Sequence, residues 1–281
     1  MKDVITLKSG KWQAGVCPRL GGNLISLSYD GKNVLRPLVD EAQLDINPYL
    51  QGAPILLPAN RTYLGKFSFE GEDYQLPVNE PRTNSHLHGL VHRQPFALVE
   101  QSETSVTMKF VNTNGLVYPF DFEIIATYSI DENGLEQKFE IKNIGKKNMP
   151  YTFCLHTTFM QPEHQFTFPL KERQEAINDI PTGRYIELND VEKRFVTGSP
   201  AKDVAACGYY SAAGHTVTVD EFAYTVSDNF DHWITWNALG KEDYICLEPQ
   251  AGKVNGLNID DGYVLLRPEE IDVYTARFYL K

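Results

Sequence analysis

Apolar and polar residues alternate with a period of two along much of this chain, and turn-forming residues separate the alternating runs. Residues 24–29 (LISLSY) run into Asp30-Gly31, a dipeptide suited to a two-residue hairpin because glycine tolerates positive φ, and the chain returns through Val34 and Leu35. In 67–76 the design repeats: Phe67 and Phe69 alternate with polar positions, Glu70-Gly71-Glu72-Asp73 turns, and Tyr74 and Leu76 resume the alternation. The longest case places Phe122, Ile124, Ala126, Tyr128 and Ile130 on one face, turns at Asp131-Glu132-Asn133-Gly134, and continues with Leu135, Phe139 and Ile141 on one face of the return strand. Helical periodicity is marginal; the nearest candidates, around 171–180 and 189–195, are short and highly charged. The pattern predicts an all-β protein of antiparallel strands, a large β-sandwich or a barrel, and alternation alone does not separate the two.

Composition narrows the picture in a few places. The 15 Tyr and 15 Phe against 4 Met favour strands, on whose pleated surface flat rings pack well. The 16 Pro and 20 Gly are scattered at turns, with no linker and no repeat of fixed period, so a single domain over 1–281 is expected. A net charge of −11 argues against a nucleic-acid partner or an anionic membrane surface, and no apolar run approaches the ~20 residues that span a bilayer. Such a balance is compatible with a neutral polyol, which is held by hydrogen bonds and aromatic faces. Cys17, Cys154, Cys207 and Cys246 lie far apart without CxxC spacing, and the start, MKDVITLKSGKW, lacks the apolar stretch of a signal peptide; four free thiols in a cytoplasmic protein, monomer or homodimer, are the expectation.

Three segments concentrate groups capable of chemistry. The first is Pro58-Ala59-Asn60-Arg61 with NEPRTNSHLHGLVHRQP at 79–95; His86 and His88 point to one side of an extended chain, Gly89 permits close backbone approach, and His92 adds a third imidazole. Each histidine alone reads as readily as a loop or edge residue. In the second, Tyr151, Phe153, Leu155 and Phe159 alternate toward a core, leaving His156 on the opposite face among the small residues Thr152, Cys154 and Thr158, either bonded across strands or facing a ligand. In the third, Ile245 and Leu247 face the core while Tyr244, Cys246 and Glu248 project from the other side, and Pro249 holds Glu248 extended. A carboxylate fixed beside apolar residues is costly without a partner or a task, though a surface glutamate before a turn is common.

The motifs Asn60-Arg61, His86-Leu87-His88-Gly89, Leu155-His156 with Phe159, and Leu247-Glu248-Pro249, in that order, with the aromatic run 230–237, resemble the aldose 1-epimerase or galactose mutarotase family, in particular its shorter bacterial branch. The resemblance implies a β-supersandwich in which Glu248 is the general base and His156 the general acid of anomer interconversion. It also implies that Arg61, His88, Asn60 and His86 hold sugar hydroxyls, that Trp236 stacks on the pyranose ring, and that neither metal nor cofactor is required. An aspartate on the sugar hydroxyls is implied as well, with Asp203, Asp228 and Asp231 as candidates. Three other readings remain at this point: the same fold acting on a hexose 6-phosphate through Arg61, Arg82 and Arg93; a metal-dependent sugar enzyme using His86, His88 and His92; and a non-catalytic sugar-binding module, which has no need of Glu248.

Overall fold

The computed structural model describes residues 3–281. Its backbone hydrogen bonds are used in antiparallel ladders, the largest being two eight-stranded sheets. One runs in the order 97–101, 105–112, 122–131, 134–143, 271–280, 222–226, 216–219 and 166–167. The other runs 180–186, 170–177, 207–212, 232–236, 244–251, 153–155 and 55–56, with 158–160 also pairing to 244–251. A four-stranded sheet formed by Ile5–Ser9, Trp12–Cys17, Asn23–Tyr29 and Lys32–Asn33 completes the frame.

The inner faces of the two large sheets meet through aromatic residues supplied by the alternation. Phe139 and Tyr274 of the first sheet pack on Phe153 of the second, with ring centroids 5.6 and 4.8 Å apart, and Phe278 meets Phe159 at 5.8 Å. Such pairs contribute beyond their buried area, about 0.5–1.5 kcal/mol each. Trp12 of the N-terminal sheet packs on Phe222 at 5.9 Å, and Tyr128 donates a hydrogen bond to the Gly22 carbonyl at 2.8 Å, so the first sheet covers both of the others. The chain is therefore a large antiparallel β-sandwich, not a barrel.

The three hairpins read from the sequence are present, two with tighter turns than the residue pattern suggested. The first turns at Asp30-Gly31, with φ of 50° and 81°. The second turns at Glu70-Gly71 alone, because Glu72 already pairs with Phe69. In the third, Asp131 pairs with Gly134, leaving Glu132-Asn133 as the turn. Of the two helical candidates, 189–195 belongs to the helix Asp190–Thr197, started by an Asn189/Glu192 capping box. Residues 171–180 instead form the strand Leu170–Ile177 and the turn after it, since pairing on both sides overrides a weak local preference. No helix among the described residues is long and apolar enough to cross a membrane.

Gly89 shows why its position demands glycine. Its φ is +62°, and a Cβ there would stand 2.1 Å from the Leu57 carbonyl oxygen. Gly89→Ala is expected to destabilise the fold by roughly 2–4 kcal/mol, combining left-handed strain with backbone displacement. Urea unfolding checks this; a midpoint within error of the parent would contradict the close approach.

Candidate active site

The strand Tyr244–Ala251 is buried on both faces. Ile245 and Leu247 enter the core, and alternation turns Cys246 and Glu248 to the opposite side. On neighbouring chain, Phe153, Leu155 and Phe159 also enter the core, while Cys154 and His156 face away from it. The strand is interrupted after Leu155: the His156 amide donates to the Pro54 carbonyl at 3.0 Å and the Thr157 amide back to Leu155 at 2.8 Å. His156 therefore stands at a break between Phe153–Leu155 and Thr158–Met160, both of which pair with the glutamate strand. The result is a contact of 3.4 Å between His156 Nε2 and Glu248 Oε1, with both side chains buried.

This pair lies on the wall of a cavity of about 400 Å³. Asn60, Arg61, His88 and Trp236 also line it, so six of the seven site residues expected from the sequence, Glu248 and His156 included, share the hollow. His86 does not: it is fully buried behind the wall, its Nδ1 2.7 Å from the Pro77 carbonyl, because residues 85–87 form a strand against Arg61–Tyr63 and His88 leaves that strand with φ of 64°. Extended geometry would have put both histidines on one side; the left-handed turn at His88 separates them.

Tyr49 organises the imidazoles. Its ring stacks on that of His156 at 5.8 Å and meets His88 edge-on at 4.4 Å, while His88 and His156 are themselves perpendicular at 5.1 Å. Opposite, Arg61 Nη1 donates to the Tyr209 hydroxyl at 2.8 Å, and Arg61 Nε lies 3.4 Å from Glu80. Glu80 also binds Arg82 at 3.2 Å, and Arg82 binds Asp179 at 2.6 Å. Burial pushes the Glu80 carboxyl up, but Thr83 and the two guanidiniums outweigh that and hold it below its ordinary range. Two cations and two anions thus alternate, with Arg61, Arg82 and Asp179 on the cavity wall and Glu80 behind them.

Burial dominates the acid–base pair. It lowers the His156 pKa to about 4 and raises that of Glu248 to about 8, the latter against the opposing influence of Cys154 and the Arg61 charge. Burial therefore favours a neutral imidazole beside a protonated carboxyl at neutral pH. Burial likewise holds His88 well below its ordinary value, and protonation of His156 and the Arg61 charge act in the same direction. His88 Nδ1, His156 Nδ1 and Thr235 Oγ1 are buried without hydrogen-bond partners. Each such atom costs about 1–3 kcal/mol, and their concentration at one cavity marks a place built for something other than stability.

Several lining residues were not anticipated. Tyr49 sits in a loop without a local signal. Tyr209 and Cys207 alternate toward the cavity from the strand Cys207–Ala212, and Asp179 reaches it from the Asn178-Asp179 turn, whose φ values of 50° and 64° suit those two residue types. That dipeptide was the available signal. Asp179 is the aspartate in the lining; Asp203 lies outside it, Asp228 is exposed beside His215, and Asp231 binds His232 and the Gly252 amide. The proposed trio His86, His88 and His92 does not gather ligand atoms within 4.8 Å; among the described residues, His156, Cys246 and Glu248 do. Arg93 is likewise absent from the cavity wall. A larger hollow of about 680 Å³ on the outer face of the first sheet contains Glu136, Arg277 and Tyr279 but no buried acid–base pair.

The fold is thus a β-sandwich whose cavity, of a size to admit a small polar molecule, carries a buried carboxyl–imidazole pair on its wall. Residues 3–271 match the family profile described as Aldose 1-epimerase, and the chain belongs to that family. Among curated proteins it is 27% identical over 210 residues to the uncharacterized protein YihR of Escherichia coli K12, covering 72% of this chain and 65% of that protein. It is 24% identical over 205 residues to the plasmid LacX protein of Lactococcus lactis, covering 63% of this chain and 66% of that one. The chain thus spans 65–66% of the length of these relatives. Among solved structures, a galactose mutarotase-like protein from Clostridium acetobutylicum superposes with a TM-score of 0.91 at 20% identity, over 99% of this chain and 95% of that one. A galactose 1-epimerase from Lactobacillus acidophilus gives 0.80 at 17%, over 99% and 94%. At these identities the likeness carries the fold.

Exposure separates the thiols: Cys17, Cys154 and Cys246 are buried, whereas Cys207 is exposed at the cavity. Titration of the native protein with a disulfide reagent is expected to give one fast-reacting thiol, lost in Cys207→Ser. Two or more fast thiols in the parent would contradict the packing around the cavity floor.

Proposed function

We propose that the protein interconverts the α and β anomers of a free aldohexose such as galactose or glucose, by general acid–base ring opening and reclosure. The observation that carries this reading is the 3.4 Å approach of His156 Nε2 to Glu248 Oε1 on the wall of a cavity large enough for a pyranose. Glu248 takes the proton from the anomeric hydroxyl while His156 gives one to the ring oxygen. The C1–O5 bond breaks, the open-chain aldehyde rotates about C1–C2, and the reverse transfers close the ring on the other face. No net proton or electron is consumed, and each positioned group typically contributes ~10²–10⁴ in rate.

The proton count fits this cycle. A neutral carboxyl beside a neutral imidazole carries the same single mobile proton as a carboxylate beside an imidazolium, so the pair moves to the working form without exchange with solvent. The nearby Arg61 charge favours the ionised carboxylate, and sugar hydroxyls that hydrogen-bond it act in the same direction. Arg61, Asn60 and His88 would hold hydroxyls, with Trp236, 41% exposed, offering its face to the apolar side of the ring.

Glu80 and Asp179 already neutralise Arg61 and Arg82, and Arg93 stands apart, which supports a neutral sugar over a hexose 6-phosphate. A sugar-binding module would gain nothing from burying Glu248, whose desolvation is costly unless the group reacts. Polarimetry on freshly dissolved α-galactose, α-glucose and α-glucose 6-phosphate tests the assignment; faster relaxation only with the phosphate ester would replace it. Glu248→Gln should retain sugar binding while turnover falls by about 10²–10⁴, and undiminished turnover would refute the role of the pair.

The pH profile follows from the same proton count. Below about 4 the pair takes a second proton on His156 and no base remains; above about 8 it loses the proton of Glu248 and no acid remains. A bell-shaped kcat/KM between those limbs is expected. Activity that is flat through both limbs would exclude this pair as the proton carriers.

A further inference from the structure

The catalytic reading uses Glu248 and His156 but gives no task to the sulfur atoms beside them. Cys246 and Glu248 stand two residues apart on one strand and face the same way, and His156 reaches them from the break in the adjoining chain. One donor atom from each of His156, Cys246 and Glu248 lies within 4.8 Å of the others, and all three residues are buried. Cys154 adds a second thiol, its Sγ 3.8 Å from Glu248 Oε2. The Cys246 thiol has one weak partner, the Thr158 hydroxyl at 3.5 Å.

We propose that His156, Cys246 and Glu248 form a binding site for a divalent metal ion of zinc type at the floor of the cavity, and that the ion, when bound, excludes the sugar. A tetrahedral zinc with bonds of about 2.0–2.3 Å holds its ligand atoms about 3.4–3.6 Å apart. The imidazole and carboxylate donors are already 3.4 Å apart, so only the thiol side has to close in. One nitrogen, one sulfur and one oxygen donor suit zinc or cobalt and do not suit magnesium or calcium, which prefer all-oxygen shells. Charge points the same way. A buried thiolate or carboxylate alone is penalised, but the two together balance a doubly charged ion, while the imidazole binds in its neutral form. His156 and Glu248 line the cavity, which gives an entry path to them and room for a fourth ligand, while Cys246 is fully buried outside that lining. Binding would release the protons of the thiol and the carboxyl to solvent, with no change of oxidation state.

The inhibition half of this inference rests on the proposed epimerase activity; the binding half does not, and the two are read separately. The purified, reduced chain, freed of metal by a chelator, is titrated with cobalt(II) and then with zinc(II). The expected result is one cobalt per chain with a sulfur-to-cobalt charge-transfer band in the near ultraviolet, displaced by zinc. Cys246→Ser should remove the band and weaken zinc binding by more than about tenfold, since even outer-shell partners of a metal contribute that much. Cys17→Ser, at a buried thiol in a different cluster, should leave both unchanged. Circular dichroism reports folding, and if Cys246→Ser does not fold, His156→Ala must weaken zinc binding to the same degree. A cobalt complex without the sulfur band, or a band that survives Cys246→Ser, overturns the site. In the same preparation, zinc should slow mutarotation competitively with sugar. A sulfur band in a protein without mutarotation would overturn the catalytic reading alone; mutarotation without the band would overturn the metal site alone.

Discussion

The strand Tyr244–Ala251 has no face toward solvent. One side is filled by Ile245 and Leu247 within the aromatic core, and period-two geometry obliges the other side to carry Cys246 and Glu248 into a second enclosed space. The remainder of the site is an answer to that constraint. A carboxyl group so placed needs a partner, and the chain supplies one by breaking the adjacent strand at His156, where an irregular pair of backbone hydrogen bonds sets the imidazole 3.4 Å away. Removing either member would leave the other buried without its natural neighbour, a situation that costs several kcal/mol when the survivor is charged.

Stability and reactivity are in tension here. Burial alone drives both groups to neutrality, and three buried polar atoms around the cavity have no partner. The fold carries this because the deficit is local while the compensation is distributed: the two large sheets interlock through Phe139, Phe153, Tyr274, Phe159 and Phe278 over the side of the strand facing away from the cavity. The same arrangement fixes Glu248 within a sheet and His156 at a strand break held by backbone hydrogen bonds, so the 3.4 Å separation of the pair is set by packing.

Much of this was legible in the chain because it depends on alternation. The faces of Phe153, Leu155, Phe159, Ile245 and Leu247, and hence the opposite placement of His156 and Glu248, follow from counting by twos. The choice between sandwich and barrel did not follow, since it depends on which strands pair across long sequence separations. Departures came where the backbone leaves extended geometry: His88 at positive φ turned His86 out of the cavity, and pairing on both flanks made a strand of a charged run around 171–180. Tyr49 and Asp179 were missed because a loop and a turn bring them in, and Tyr209 because its strand reaches the cavity only through long-range pairing; only the Asn178-Asp179 dipeptide announced itself. The charge preference of the pair was not legible, since the extent of desolvation cannot be counted from residue types.

The alternating chain of Arg61, Glu80, Arg82 and Asp179 has a different kind of consequence. It is assembled from three separate connecting or edge segments, whereas Glu248 lies within a sheet and His156 at a strand break against it. Changes in those outer segments can remodel what the hollow admits without moving His156 or Glu248. Within such an architecture, selectivity can change at the rim while the buried pair beneath is inherited unchanged.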